Sequence, residues 1–175
     1  TNFMLPQRFQ PMLATMAEPF DSPDYTYEIK WDGYRSLGFL DSGGTRLQSR
    51  NGKDLSRLFP DLSEVHQRFQ VKGCLVDGEI VAFRDGKPSF LELQKRAQLR
   101  KEEQIKNAVQ TIPVVYVIFD LLYLDHAPVY QQPLEQRREL LRDAFVAQDE
   151  QIILAWSVPT EGIAFFKQVT TKGLE

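Results

Sequence analysis

The chain has 175 residues, of which 42% are hydrophobic and 26% charged, with 21 Lys and Arg against 24 Asp and Glu, for a net charge of -3. That excludes a disordered tail and a strongly basic coat protein, because 11% aromatic residues give ample surface to bury and the overall charge is slightly acidic. The single cysteine, Cys74, excludes an internal disulfide and any multi-cysteine zinc site, and points to a reducing, cytoplasmic setting.

In chain order, Pro6, Pro11, Pro19 and Pro23 predict an irregular lead-in, with no charged-then-apolar leader. Residues 25–31 alternate, with Tyr25, Tyr27, Ile29 and Trp31 on one face and Thr26, Glu28 and Lys30 on the other, which predicts a strand. A bend at Gly33, a strand over 35–40, a turn at Asp41-Ser42-Gly43-Gly44 and a strand over 45–49 complete a β-meander. Leu62, Val65 and Phe69 share a helical face. A strand over 75–83 precedes a turn at Asp85-Gly86-Lys87 and a charged, solvated helix over 90–106.

Val114–Tyr123 is β-branched and aromatic on both faces and reads as a central strand, and its interruption by Asp120 makes it too short to span a bilayer. An amphipathic helix over 134–146 carries Leu134, Leu141 and Phe145 inward. A strand over 152–158 leads to a helix capped by Thr160, with Ile163, Phe166 and Val169 inward and Gly173 closing it. Strands come in local runs without regular βαβ alternation. The expectation is an α+β fold with mainly antiparallel sheets and flanking helices.

Lys30-Trp31-Asp32-Gly33-Tyr34-Arg35 is the most informative stretch. A lysine at the end of a core-anchored strand, with acids on either side, is positioned rather than free to wander, yet an ordinary lysine, with a pKa of about 10.4, is a poor nucleophile at neutral pH. Cations such as Arg35 or a bound metal would activate it. A solvated Glu/Lys/Asp strand face fits the same residues, and the chemistry alone does not separate the two. Taken singly, Asp77 and Glu79 fit a solvated strand face, Phe119 a core aromatic, and Arg50 a turn neighbour of Asn51-Gly52. His66, His126 and Cys74 suggest no ligand set. The run Lys95, Arg96, Arg100 and Lys101 reads as a solvated helix face or a phosphate contact.

Lys30-x-Asp32-Gly33-x-Arg35 resembles the signature of the covalent nucleotidyltransferases: ATP-dependent DNA ligases, RNA ligases and mRNA capping enzymes. Ordered company strengthens it. Ser49-Arg50-Asn51-Gly52, Val76-Asp77-Gly78-Glu79-Ile80-Val81, Phe119-Asp120-Leu121-Leu122-Tyr123-Leu124 and Lys172-Gly173-Leu174-Glu175 resemble the boxes that follow in that family. In detail the chain most resembles the ligase domain of bacterial ligase D, the end-joining ligase, through Pro11–Ala14, Tyr27–Arg35 and Ser49–Asp54.

The resemblance implies an ATP-grasp-like adenylation domain over residues 1–175, incomplete at its C-terminus. The family's Lys-x-Lys box, the lysine expected after Glu175 and the OB-fold domain are not in the sequence. It further implies that Lys30 forms a lysyl-AMP from ATP, that the AMP passes to a DNA 5′-phosphate, and that the 3′-hydroxyl seals the nick. Glu28, Ile29 and Phe119 would meet the adenine, while Arg35, Arg50 and Glu79 would meet ribose or phosphates. Asp32, Glu79 and Glu175 would hold Mg2+ or Mn2+. The implied partners are nicked or broken double-stranded DNA, with Ku-type, polymerase and nuclease modules; the implied setting is a bacterial nucleoid, with no membrane. An RNA ligase, a capping-type guanylyltransferase or a non-catalytic nucleotide-binding module would share much of this pattern.

Overall fold

The computed structural model describes residues 4–155 and 157–174. Its centre is a seven-stranded sheet of β2 (Tyr34–Asp41), β3 (Gly44–Ser49), β4 (Cys74–Arg84), β5 (Lys87–Pro88), β6 (Val114–Leu124), β7 (Ala127–Pro128) and β8 (Ile152–Leu154). The main path runs β3-β2-β4-β6-β7, with β5 on β4 and β8 on β6. Every pairing is antiparallel except β6 with β8. A separate two-stranded ribbon pairs β1 (Ser22–Glu28) with β9 (Ser157–Thr160). Among the described residues, four α-helices flank these sheets: α1 (Phe90–Ala97), α2 (Glu102–Thr111), α3 (Leu134–Ala144) and α4 (Gly162–Thr171). The fold is α+β with mainly antiparallel sheets, as expected.

Because side chains alternate along a strand, the central sheet has two unlike faces. One carries Leu40, Leu47, Val76, Ile80, Tyr116 and Ile118 into the main core, beneath α1 and α3. The other carries a smaller cluster of Leu37, Phe39, Leu75 and Leu122, covered by Leu5 and Phe9 of the proline-rich lead-in. Farther along that second face the side chains turn polar at Arg35, Asp77 and Glu79. That polar end is where the chemistry gathers.

Four expectations are corrected. The first strand stops at Glu28, so Lys30 sits in the loop beyond it, and Tyr25 is exposed rather than core. The stretch 90–106 divides into α1 and α2, because the backbone is extended at Lys101, with no proline or glycine to signal it. Residues 152–158 serve two sheets, β8 joining β6 and β9 joining β1. In α4 the inward residues are Gly162, Phe165 and Val169, whereas Ile163 and Phe166 are exposed.

Smaller departures follow the same logic. The amide of Ile163 donates to Asp21, and Thr160 makes no cap; its φ of 64° is a left-handed turn. Gly173 does close α4, with φ 74° and the Leu174 amide on the Val169 carbonyl. Leu134 is exposed at the start of α3, while Leu141 and Phe145 are buried. Leu62, Val65 and Phe69 are all buried, although they lie on and beside two 3-10 turns, Pro60–Leu62 and Val65–Arg68.

Candidate functional site

The Lys30 loop is fixed by a glycine at a place where any side chain would force a shift. A Cβ on Gly33 would overlap the Ile80 carbonyl oxygen on β4, with the Glu79 side chain 3.2 Å away. Removing the side chain lets the loop lie flat against β4, and the Gly33 amide bonds Glu79. This brings Lys30 and Glu79 into electrostatic contact. Burial pushes the Glu79 carboxyl up to about 7, against the opposing pull of Arg35, the Gly33 amide and Lys30. Asp32 is exposed in the bend just before Gly33.

Arg35 pairs with Glu79 in strand register and reaches diagonally to Asp77. Its fork is bidentate: Nε donates to Oδ1 at 2.7 Å and Nη2 to Oδ2 at 2.6 Å. The guanidinium also stands 5.0 Å from the centre of the Phe119 ring. Phe119 owes its position to an irregularity in the ladder, where Asp77 pairs with Asp120 but Gly78 pairs with Ile118. The extra residue is Phe119. A buried aromatic in an apolar strand would otherwise read as simple core; here it is half-buried beside an arginine.

Phe119 also lines a cleft of about 370 Å³ between α3 and the chain that passes from β8 to β9, with Ile118, Arg138, Leu154, Ala155 and Ser157 among its walls. Glu28, the last residue of β1, pairs with Ser157 of β9 and so borders this cleft. Its carboxylate accepts a hydrogen bond from the Arg138 guanidinium on α3. Ile29 is half-buried between Glu28 and Lys30.

The structure therefore brings together Glu28, Lys30, Arg35, Glu79 and Phe119. Arg50 is exposed in the turn one step past the Ser36–Ser49 pair, next in register to Arg35. Glu175 lies outside the described residues. Among the described residues no three His, Cys, Asp or Glu side chains gather as a metal cage. Asp32 and Glu79, joined through Gly33, would suit an ion that takes one or two carboxylates and fills its other positions with phosphate oxygens.

Sequence reasoning missed the arginines of α3. Arg137 grips Asp120 at 2.8 and 2.9 Å and also donates to the Gln132 carbonyl at 2.6 Å, pinning α3 to β6. Its neighbour Arg138 reaches Glu28. The adjacent pair on a helix otherwise read as amphipathic was the available signal. Arg96, read as solvated, is fully buried against Asp61.

The family model described as the ATP dependent DNA ligase domain matches residues 3–175. "DNA ligase C1" of Mycolicibacterium smegmatis is 36% identical over 141 residues, covering 77% of this chain and 40% of that protein. "Multifunctional non-homologous end joining protein LigD" of Pseudomonas aeruginosa is 31% identical, covering 83% of this chain and 16% of its own. Among solved structures, "mycobacterial DNA ligase D complexed with ATP and MES" superposes with a TM-score of 0.74 at 28% identity, covering 97% of this chain and 52% of that one. The chain thus spans about half or less of the relatives it matches.

Proposed function

The chain belongs to the ATP-dependent DNA ligase family, and on that premise we propose that residues 1–175 act as its adenylation domain. The observation that carries this is the loop geometry: Gly33 clamps the Lys30 loop onto β4, beside Glu79 and the Arg35–Asp77–Phe119 assembly. In this reading the Lys30 amine, once it has lost its proton, forms a P–N bond to the α-phosphorus of ATP. The bond to the bridging oxygen breaks, and pyrophosphate leaves with its electron pair. Arg35 and Arg50 bring positive charge to the phosphates and ribose.

The cleft takes the adenine, with Phe119 against its face and Glu28 and Ile29 at its edge. Glu28 accepts from the exocyclic amine of adenine, which guanine does not present at that position. Asp32 and Glu79, with Glu175, are the carboxylates that would hold magnesium or manganese. The ion, when bound, neutralises charge on the phosphates. The AMP then passes from Lys30 to a DNA 5′-phosphate, and the 3′-hydroxyl displaces it to seal the nick. A relative that carries end joining in its name supports a role in joining broken DNA ends, in company with end-binding, polymerase or nuclease modules.

The test is the intact mass of the polypeptide bearing this chain, before and after ATP and magnesium, beside a Lys30→Ala variant. The expected result is a gain of one AMP on the wild type and none on the variant. An adduct that persists in Lys30→Ala, or a folded wild type that gains nothing, overturns the assignment. A label that enters from GTP rather than ATP selects the capping-type reading instead, and sealing of RNA rather than DNA nicks selects the RNA-ligase one.

A further inference from the structure

Residues 137 and 138 are consecutive arginines on α3, and a step of about 100° along a helix points their side chains in different directions. Arg137 serves the fold, since its fork holds Asp120 and its Nη1 donates to the Gln132 carbonyl. Arg138 leaves the helix toward β1. Its side chain is only 12% exposed, and Nη2 donates to the Glu28 carboxylate, joining residues 110 positions apart. Glu28 is where β1 ends and the Lys30 loop begins.

The same arginine forms part of the wall of the cleft that holds Phe119, and its Nε is buried with no acceptor. A buried guanidinium donor without a partner costs stability, and the fold keeps it. Arg142 is the other charged residue in that wall, and Glu28 is the acidic group that faces Arg138. The Arg137–Asp120 anchor sets the height of α3 on β6, so Arg138 meets Glu28 at a fixed place.

We propose that Arg138 is a positioning residue for base selection: by holding the Glu28 carboxylate it sets the edge of the cleft that distinguishes adenine from guanine. This rests on the adenylation reading above. The helix thereby couples the cleft to the strand that leads into Lys30. Loss of Arg138 frees the Glu28 carboxylate to rotate while leaving Lys30, Gly33 and Glu79 where they are.

The experiment compares lysyl-AMP and lysyl-GMP formation in wild type, Arg138→Met and Arg138→Lys, with thermal melting of each. For Arg138→Met the expected result is a KM for ATP about tenfold higher and a preference for ATP over GTP about tenfold lower, the size of one lost charge-assisted hydrogen bond. The rate at saturating ATP stays within about threefold, because the reacting groups are untouched. Arg138→Lys, which keeps the charge and the stem, recovers part of the preference. An unchanged KM and base preference in Arg138→Met, or a fall in the saturating rate alone, overturns the proposal while leaving the adenylation reading intact. If Arg138→Met does not fold, Arg138→Gln, made in its place, decides, since a wild-type KM together with a wild-type base preference in a variant without the charge overturns it equally. A wild type that forms no lysyl-nucleotide removes the adenylation reading and this proposal together.

Discussion

Two arginine–aspartate forks in this molecule look nearly alike and differ in what surrounds them. Arg96 and Asp61 pair with Phe59 5.0 Å from the guanidinium; Arg35 and Asp77 pair with Phe119 at the same 5.0 Å. The side chains of Arg96 and Asp61 are 0% and 3% exposed, and the other Arg96 donors go to the carbonyls of Leu58 and Ile112. Arg35 keeps 22% of its side chain in the open, on a face shared with Glu79 and beside the Lys30 loop. The first fork ties α1 to the turn at Pro60–Leu62 and is closed off from solvent. The second keeps an exposed edge. An ion pair marks a site by what it leaves unsatisfied, not by its own geometry.

The largest effect expected from this contrast is on stability. Asp61→Ala strands a guanidinium with no route to water, and it should cost about 3–5 kcal/mol in chemical denaturation. Asp77→Ala should cost about 1–3 kcal/mol, because water can reach the exposed part of Arg35. Its effect on lysyl-AMP formation should be the larger one, at least tenfold, whereas Asp61→Ala should adenylate normally in whatever fraction remains folded. Equal stability losses with equal activity losses would erase the distinction between the two forks.

Gly33→Ala comes next. Its Cβ must displace the Ile80 carbonyl or lift the loop off β4, a strain of about 1–3 kcal/mol. Melting should show that cost, and adenylation should fall further than melting predicts, because Lys30 moves with the loop. A variant that melts lower but adenylates at the wild-type rate would separate Lys30 from its clamp.

A third pair, Arg68–Asp149, is exposed by about a third on each side and sharpens the series at its weak end. Burial alone would raise the Asp149 carboxyl, but the amides of Gln151 and Ile152, together with Arg68, outweigh it and hold it below the usual carboxylate range. A depressed folded pKa contributes stability that is fully present above the unfolded value of about 3.9 and is lost as pH falls through the lower folded value. Asp149→Asn should therefore cost less than about 1 kcal/mol at neutral pH and flatten the acid limb of the stability curve. An unchanged acid limb in urea titrations would remove Asp149 from that account.

Much of this was local enough to be read from the sequence. The strand runs of β2, β3, β4 and β6, the turns at Ser42-Gly43 and Asp85-Gly86, and the closing Gly173 each depend on a few neighbouring side chains and on φ values that glycine tolerates. The ordered boxes around Lys30, Glu79 and Phe119 pointed to the family for the same reason, since each is a short run with its own spacing. Tertiary structure decided what periodicity cannot express. It placed Arg96 on Asp61, Arg137 on Asp120 and Arg138 on Glu28, pairings 35, 17 and 110 residues apart. It also split residues 152–158 between two sheets and turned Phe165 rather than Phe166 inward on α4. A charged side chain is buried only when the fold delivers its counter-charge, and the identity of that partner is a property of the packed layers.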